Sequence, residues 1–358
     1  MAKVTNIPEV DRGGLIAYKS RRKLLFAGLF LLAAILFLLD IILGSVSIGL
    51  ADIADAIFNK SAPEINAIIV KFRIPKAITA LLAGMALSVS GLQMQTLFRN
   101  PMAGPYVLGI SSGASLGVAF VILGFSASFT SVIFENIGNW GLAAASWAGA
   151  GLIMIIILYI SVRVKDILTV LILGIMLSAG ISAIVSIMQY FSSETMLKSY
   201  VIWTMGSLGN LSEGQLRVMF ASVAAGLLLS LISIKMLNAL LLGETYAGTL
   251  GLNLRIARIT VLTATSILAG TVTAFCGPIG FIGIAVPHIA RLFFKTSDHR
   301  ILIPAVILTG GVVMLSSDII SQLPGSDKVL PVNAVTSLAG IPVVIWVILK
   351  NRKYSVSP

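Results

Sequence analysis

The chain has 358 residues, 57% hydrophobic and 11% charged, with a mean hydropathy of +1.01 and a formal net charge of +11. Soluble domains carry roughly 25% charged residues, so the solvent of this chain is expected to be lipid rather than water. Its basic residues fall in short clusters between apolar runs, which fits the positive-inside rule and argues against nucleic acid as a partner.

A bilayer requires about 20 apolar residues per helix. Arg21-Arg22-Lys23 opens the first such run, which extends to about Leu43. It is longer than the apolar region of a signal peptide and lacks a small-residue cleavage site, so a retained spanning helix is expected. Residues 45–70 read as an amphipathic outer helix. Arg73 and Lys76 then flank Pro75 at the start of the second span, 75–98. Two readings are open for this pair: snorkelling to the headgroups, or a basic rim for an acidic partner. Ala80, Gly84, Ser88 and then Gly91 give this span a small-residue face, as do Gly109, Gly113 and Gly117 in the third, 106–123. Such faces let backbones approach closely, either within the chain or between subunits.

Spans four to six are expected at 141–162, 167–190 and 215–234. Met176, Met188 and Tyr190 of the fifth, with Met205 beyond it, either pack or line a pathway. Residues 238–257 read as one or two short cytoplasmic helices broken at Gly248 and Gly251. The stretch 259–294 has no charge until Arg291; Gly270, Gly277, Pro278 and Gly280 favour two spans, 259–275 and 279–294, over one span with a re-entrant piece. The lone Cys276 there precludes an intrachain disulfide and reads as a small packed hydrophobe. His288 and His299 have no second ligand at a suitable spacing, which argues against a metal site. Spans at 302–321 and 334–349 complete about ten. The expectation is an all-α polytopic membrane protein: a tail of 1–20, a transmembrane domain of 21–350 and a tail of 351–358.

With ten spans both termini lie on one side. That side then holds 18 Lys and Arg residues against 7 on the other, so both ends are expected in the cytoplasm. Asp40, Asp166, Glu213 and Asp318 all lie near predicted span ends. A proton-coupled carrier is expected to hold an ionisable group deeper. No phosphate-cradling Gly-x-x-x-x-Gly-Lys-Ser/Thr loop occurs, and no nucleophile elbow with partners. The chain is therefore not expected to be an enzyme; its driving force should come from another polypeptide.

Arg73-Ile-Pro-Lys76, the run from Gly91-Leu-Gln-Met-Gln to Gly113-Ala114, and Gly277 to Arg300 with its Pro287-His288 and Asp298-His299-Arg300 resemble signatures of FecCD-type permeases. So do Asp318, Leu330-Pro-Val and Gly340-x-Pro342. These are the membrane subunits of type II ABC importers for iron-siderophores, heme and cobalamin. The resemblance covers nearly everything after residue 20. It implies ten helices per subunit in the bacterial inner membrane, and a second permease subunit, taken as a homodimer. It also implies two cytoplasmic ATPases using ATP and Mg, and one periplasmic or lipid-anchored binding protein; no cofactor is held by this chain. By the same resemblance, the fifth helix and an extension at about 196–206 line the pathway. Asn100 and Met102 fall at an inner gate. Gly243, Glu244, Ala247, Leu250 and Gly251 dock on the ATPase, and Arg73 and Lys76 meet the binding protein. Two departures stand out: Gln322 occupies a position where the family often has Arg, leaving Lys328 as a substitute, and Pro331-Val-Asn333 replaces a Pro-x-Gly.

Overall fold

A computed structural model of the chain describes residues 12–44, 49, 55, 63–124, 139–164, 166–322 and 329–352. Among these residues every regular element is helical. The first is α1 (Arg12–Ile42). Next comes α2 (Pro63–Ala67), which runs through a π-helical turn at Ile68–Arg73 into α3 (Ile74–Leu97). Then follow α4 (Ile110–Ile122), α5 (Asn139–Arg163), α6 (Ile167–Phe191), α7 (Glu194–Thr204) and α8 (Glu213–Ile232). Two short helices, α9 (Ile234–Leu240) and α10 (Glu244–Thr249), lead to α11 (Leu254–Cys276), α12 (Ile282–Phe294), α13 (His299–Ser321) and α14 (Val332–Arg352). Seven helices are long and apolar enough to cross a bilayer; α4, α12 and the Val332–Trp346 part of α14 are shorter apolar helices. Together they occupy the ten predicted stretches in order.

Local chemistry accounts for where the elements depart from prediction. Helix α4 starts at Ile110 rather than 106, because Pro101, Gly104, Pro105 and Gly109 hold the approach in turns. This irregular backbone is tolerated because protein encloses it: Ala103 and Leu108 are buried. The break expected in 259–294 falls at Gly277–Phe281, between α11 and α12. In the 238–257 region the chain breaks at Leu250–Asn253, as expected at Gly251, and also at Leu241–Gly243, while Gly248 is helical. Gly243, with φ +97, is the residue there able to make the turn without strain. Helix α1 begins at Arg12, inside the predicted tail; of the outer helix expected at 45–70, residues 63–70 are helical, in α2 and the π-helical turn, and most of 45–62 lies outside the described residues.

The core is built around α3, which is buried along most of its length. Helices α13, α11, α12, α8 and α1 pack around it, α4 and α5 form a close pair on α11, and α6 and α7 rest mainly on α4. Small residues set these approaches. A Cβ at Gly84 would strike the Gly310 carbonyl, one at Gly91 the Gly283 carbonyl, and one at Gly117 the Ala145 carbonyl. The small-residue faces of α3 and α4 are thus consumed by packing within the chain. Two amides on α3 cross-link its neighbours. Gln93 donates to the Ser230 hydroxyl of α8 at 3.0 Å and accepts from Thr265 of α11 at 3.0 Å. Gln95 donates to the Ile284 carbonyl of α12 at 3.1 Å and accepts from Arg291 at 2.7 Å.

Candidate functional site

The predicted functional residues fall into three groups, two at opposite ends of α3 and one along α6. At the N-terminal end of α3, Arg73 donates to the Ile41 and Ile42 carbonyls, both at 2.7 Å, and so caps the last turn of α1. Lys76 pairs with Asp318 at 3.1 Å; the lysine side chain is 21% exposed and the aspartate 1%. Gln322 donates to Asp40 at 2.7 Å and to Asp318 at 3.3 Å. Its neutral amide therefore bridges two buried carboxylates. Arg73 and Lys76 are brought together, but each already has a partner inside the chain. Lys71 is exposed and, with Lys76, lines a cavity of about 300 Å³ bounded by Leu208–Ser212. Sequence reasoning passed over Lys71, although its spacing from the basic pair was visible. Lys328 lies outside the described residues.

At the other end of α3, helices α9 and α10 form a braced hairpin. The Arg99 guanidinium lies over Gly243, where a Cβ would meet it at 3.2 Å. Glu244 opens α10, and its carboxylate is held by Arg258 of α11 through two bonds, Nε to Oε1 at 2.9 Å and Nη2 to Oε2 at 2.6 Å. Ala247 is buried, its carbonyl accepting from Leu252 at 3.0 Å, while Leu250 and Gly251 are exposed. So is Tyr246, four residues before Leu250 on α10, and Leu242 just ahead of it. Together they present an apolar surface. Glu244 is thus spent internally, and Tyr246 was missed because an isolated tyrosine in a short loop gives no periodic signal.

The same end carries a second buried polar cluster. His299 Nε2 lies 2.8 Å from the Thr96 hydroxyl of α3, and its Nδ1 lies 2.8 Å from Asn238 Oδ1 of α9. The Asn238 amide donates to Asp298 at 2.8 Å. Asp298 sits below the ordinary carboxylate range, first because the Arg300 amide donates to it and then because Asn238 does. His288 lies 2.8 Å from the Pro101 carbonyl. Both histidines therefore engage protein groups and tie α3, α9 and the 100–109 segment together.

Along α6, burial is confined to one stripe that includes Ile167, Val170, Leu171, Gly174, Ile181 and Val185. Met176 and Tyr190, fourteen residues apart and hence on one face, are 64% and 83% exposed. Met188 turns inward and packs against the core instead. Asn100 accepts from the Met102 amide at 2.9 Å, fixing the turn that opens the 100–109 segment. The far end of that segment, Val107–Leu108, rests on Gly174 of α6. Beside it a cavity of about 280 Å³ between α4, α6 and α7 gathers Ser111, Ser115, Ser182, Ser186, Gln189 and Thr204. That is a concentration of hydroxyls which no short motif announces.

Comparison with known proteins gives concordant findings. A family model described as the FecCD transport family matches residues 31–350. The vitamin B12 import system permease proteins BtuC of Citrobacter koseri and Escherichia coli are each 37% identical over 284 residues, 79% of this chain and 83% and 84% of theirs. That of Klebsiella pneumoniae is 38% identical over 283 residues, 79% of this chain and 82% of its own. Among solved structures, an inward-facing conformation of a metal-chelate type ABC transporter superposes with a TM-score of 0.78 at 27% identity, covering 92% of this chain and 99% of that one. PsaBC from Streptococcus pneumoniae in complex with Fab superposes at 0.50 with 16% identity over 83% of this chain and 94% of that one, a likeness of fold alone.

Proposed function

The chain belongs to the FecCD transport family as a multi-pass permease subunit of an ABC transporter, and on that premise we propose that it imports a bulky polar metal chelate, an iron-siderophore or cobalamin, from an outer binding protein into the cytoplasm. The likeness to the vitamin B12 permeases supports the corrinoid. The hydroxyls of the cavity beside α6 offer hydrogen-bond partners to a polar chelate. Two copies of the permease enclose the pathway between their α6 helices, with Met176 and Tyr190 on its wall. Asn100 and Met102 shape an inner gate, and Met188 supports the wall from behind. Two ATPases bind ATP with Mg and dock on α9–α10, with both termini of the permease on that cytoplasmic side. A periplasmic or lipid-anchored binding protein docks at the opposite end, over Lys71, Arg73, Lys76 and Lys328.

The observation that carries this reading is the α9–α10 hairpin. It is braced from within by Arg258 and Arg99 yet leaves Leu242, Tyr246 and Leu250 exposed on its outer side. A rigid knob with an unspent apolar face suits a partner that pushes on it. The test is reconstitution of the permease in vesicles with and without its ATPase and binding protein. ATP-dependent accumulation of a ferric siderophore or cyanocobalamin only in the complete complex is expected. Uphill accumulation by the permease alone, driven by a proton gradient, would reject the reading in favour of a secondary carrier.

A further inference from the structure

Arg258 does more than neutralise Glu244. Its Nη1 also donates to the Ser161 carbonyl at 3.2 Å and to the Val164 carbonyl at 2.9 Å. These carbonyls belong to the last turn of α5 and the residue just beyond it, where helix acceptors lack partners within the helix and the dipole is negative. One guanidinium therefore clamps three elements: α10 through a carboxylate, the end of α5 through two carbonyls, and its own α11. The side chain is 7% exposed, so water competes little for these bonds.

What lies next in the chain gives the clamp its consequence. Only Val164, Lys165 and Asp166 separate α5 from α6. Asp166 caps α6 firmly, accepting from the Leu168 and Thr169 amides at 3.2 and 3.1 Å and from the Thr169 hydroxyl at 2.8 Å. The joint is short and capped, so a shift of the α5 terminus must be passed to the start of α6. Helix α6 is loosely held, buried along one stripe only. A displacement of α10 is thus linked through Arg258 and a three-residue joint to an element buried along one stripe only. Gly243 and Gly251, at φ +97 and +87, form the turns on either side of α10.

We propose that Arg258 is a positioning residue that, paired with Glu244, transmits movement of α10 to the α5–α6 joint and so couples the ATPase to the pathway helix. This rests on the reading of the chain as an ATP-driven permease, and the experiment separates the two. The complete transporter, with ATPases and binding protein, is reconstituted carrying wild-type permease, Arg258→Gln, Arg258→Lys, Glu244→Gln or the Arg258→Gln/Glu244→Gln pair. Substrate moved and ATP hydrolysed are measured in the same vesicles, with cyanocobalamin and a ferric hydroxamate as probes. Failure of wild type to transport with ATP strikes the functional reading, not the clamp. With wild type active, the expected result is a drop of about fivefold or more in substrate moved per ATP in Arg258→Gln, the lower range of site-to-site coupling. Glu244→Gln should fall in the same direction, and the pair no further than the worse single variant. Arg258→Lys should not restore the ratio, because an ammonium cannot span the carboxylate and both carbonyls. If Arg258→Gln fails to assemble, the partner variant Glu244→Gln, at a side chain that is 19% exposed, decides alone. A transport-to-ATP ratio equal to wild type in the assembled variants overturns the proposal, even if their thermal stability falls.

Discussion

Lys76 and Lys71 lie five residues apart and face opposite fates. Lys76 answers the charge of Asp318, which is 1% exposed. Removing one partner of a fully buried pair costs about 3–5 kcal/mol; because Lys76 is partly exposed, Lys76→Gln should cost about 2 kcal/mol and lower the melting temperature in detergent. Lys71 is exposed and in no ion pair among the described residues, so Lys71→Glu should leave the melting temperature unchanged while weakening binding-protein docking severalfold. Docking by Lys71→Glu at wild-type affinity would remove this surface from the partner interface. Asn333 shows how a departure from a family pattern is absorbed. Its side-chain carbonyl accepts from the Gly280 backbone amide at 2.9 Å, and its backbone N–H donates to the Met205 carbonyl at 3.3 Å. Asn333→Ala therefore leaves the Gly280 amide without its acceptor, at about 1–2 kcal/mol, readable as reduced thermal stability.

At the scale of elements, the α4–α5 pair is set by backbone approach. A Cβ at Gly149 would strike the Gly113 carbonyl, whereas at Gly151, two residues on, nothing lies within 4 Å. Gly149→Val should destabilise by about 1–3 kcal/mol or more through overpacking, and Gly151→Ala should be neutral or stabilise by up to about 1 kcal/mol through helix propensity. Equal effects at the two sites would contradict the crossing geometry. The α9–α13 junction makes a pH prediction. Asp298 is held below its ordinary range in the folded state, so its contribution is complete above the unfolded pKa and is lost as pH falls through the lower folded value. Amide exchange in α9 should be flat from pH 5 to 8, after correction for intrinsic exchange, and rise only below about pH 4. An Asp298→Asn chain should show that rise already at neutral pH.

At the scale of the whole molecule, helices differ in how much of their surface the chain itself covers. Helix α3 is enclosed, while α6 and α14 leave broad apolar faces outward, Ile172, Met176 and Ile187 on one and Leu338 and Ile345 on the other. The sole thiol, Cys276, is buried, so single cysteines placed elsewhere report cleanly. In the complete transporter, Met176→Cys and Tyr190→Cys should react with a water-soluble maleimide at rates that change on ATP addition, while Met188→Cys, partly buried against the core, should react severalfold more slowly. Equal rates at all three positions would remove α6 from the pathway wall.

Composition and periodicity alone determined the solvent, the helix class, the order of the ten apolar stretches and the absence of a nucleotide loop, because hydropathy and small-residue spacing are local properties of a chain. The long motifs were legible as a resemblance, and with them the neighbourhood of Arg73, Lys76 and the 243–251 loop. What only the tertiary structure decided is which charges are already spent. Arg258 sits in an unremarkable Ile-Ala-Arg-Ile run, and its partners lie 14 and more than 90 residues away; Lys76 finds Asp318 across most of the chain. Ion pairing and burial depend on distances between sequence-remote atoms, which no window of sequence contains. That is why the clamp, the serine-lined cavity and the inward turn of Met188 became visible only once the helices were packed.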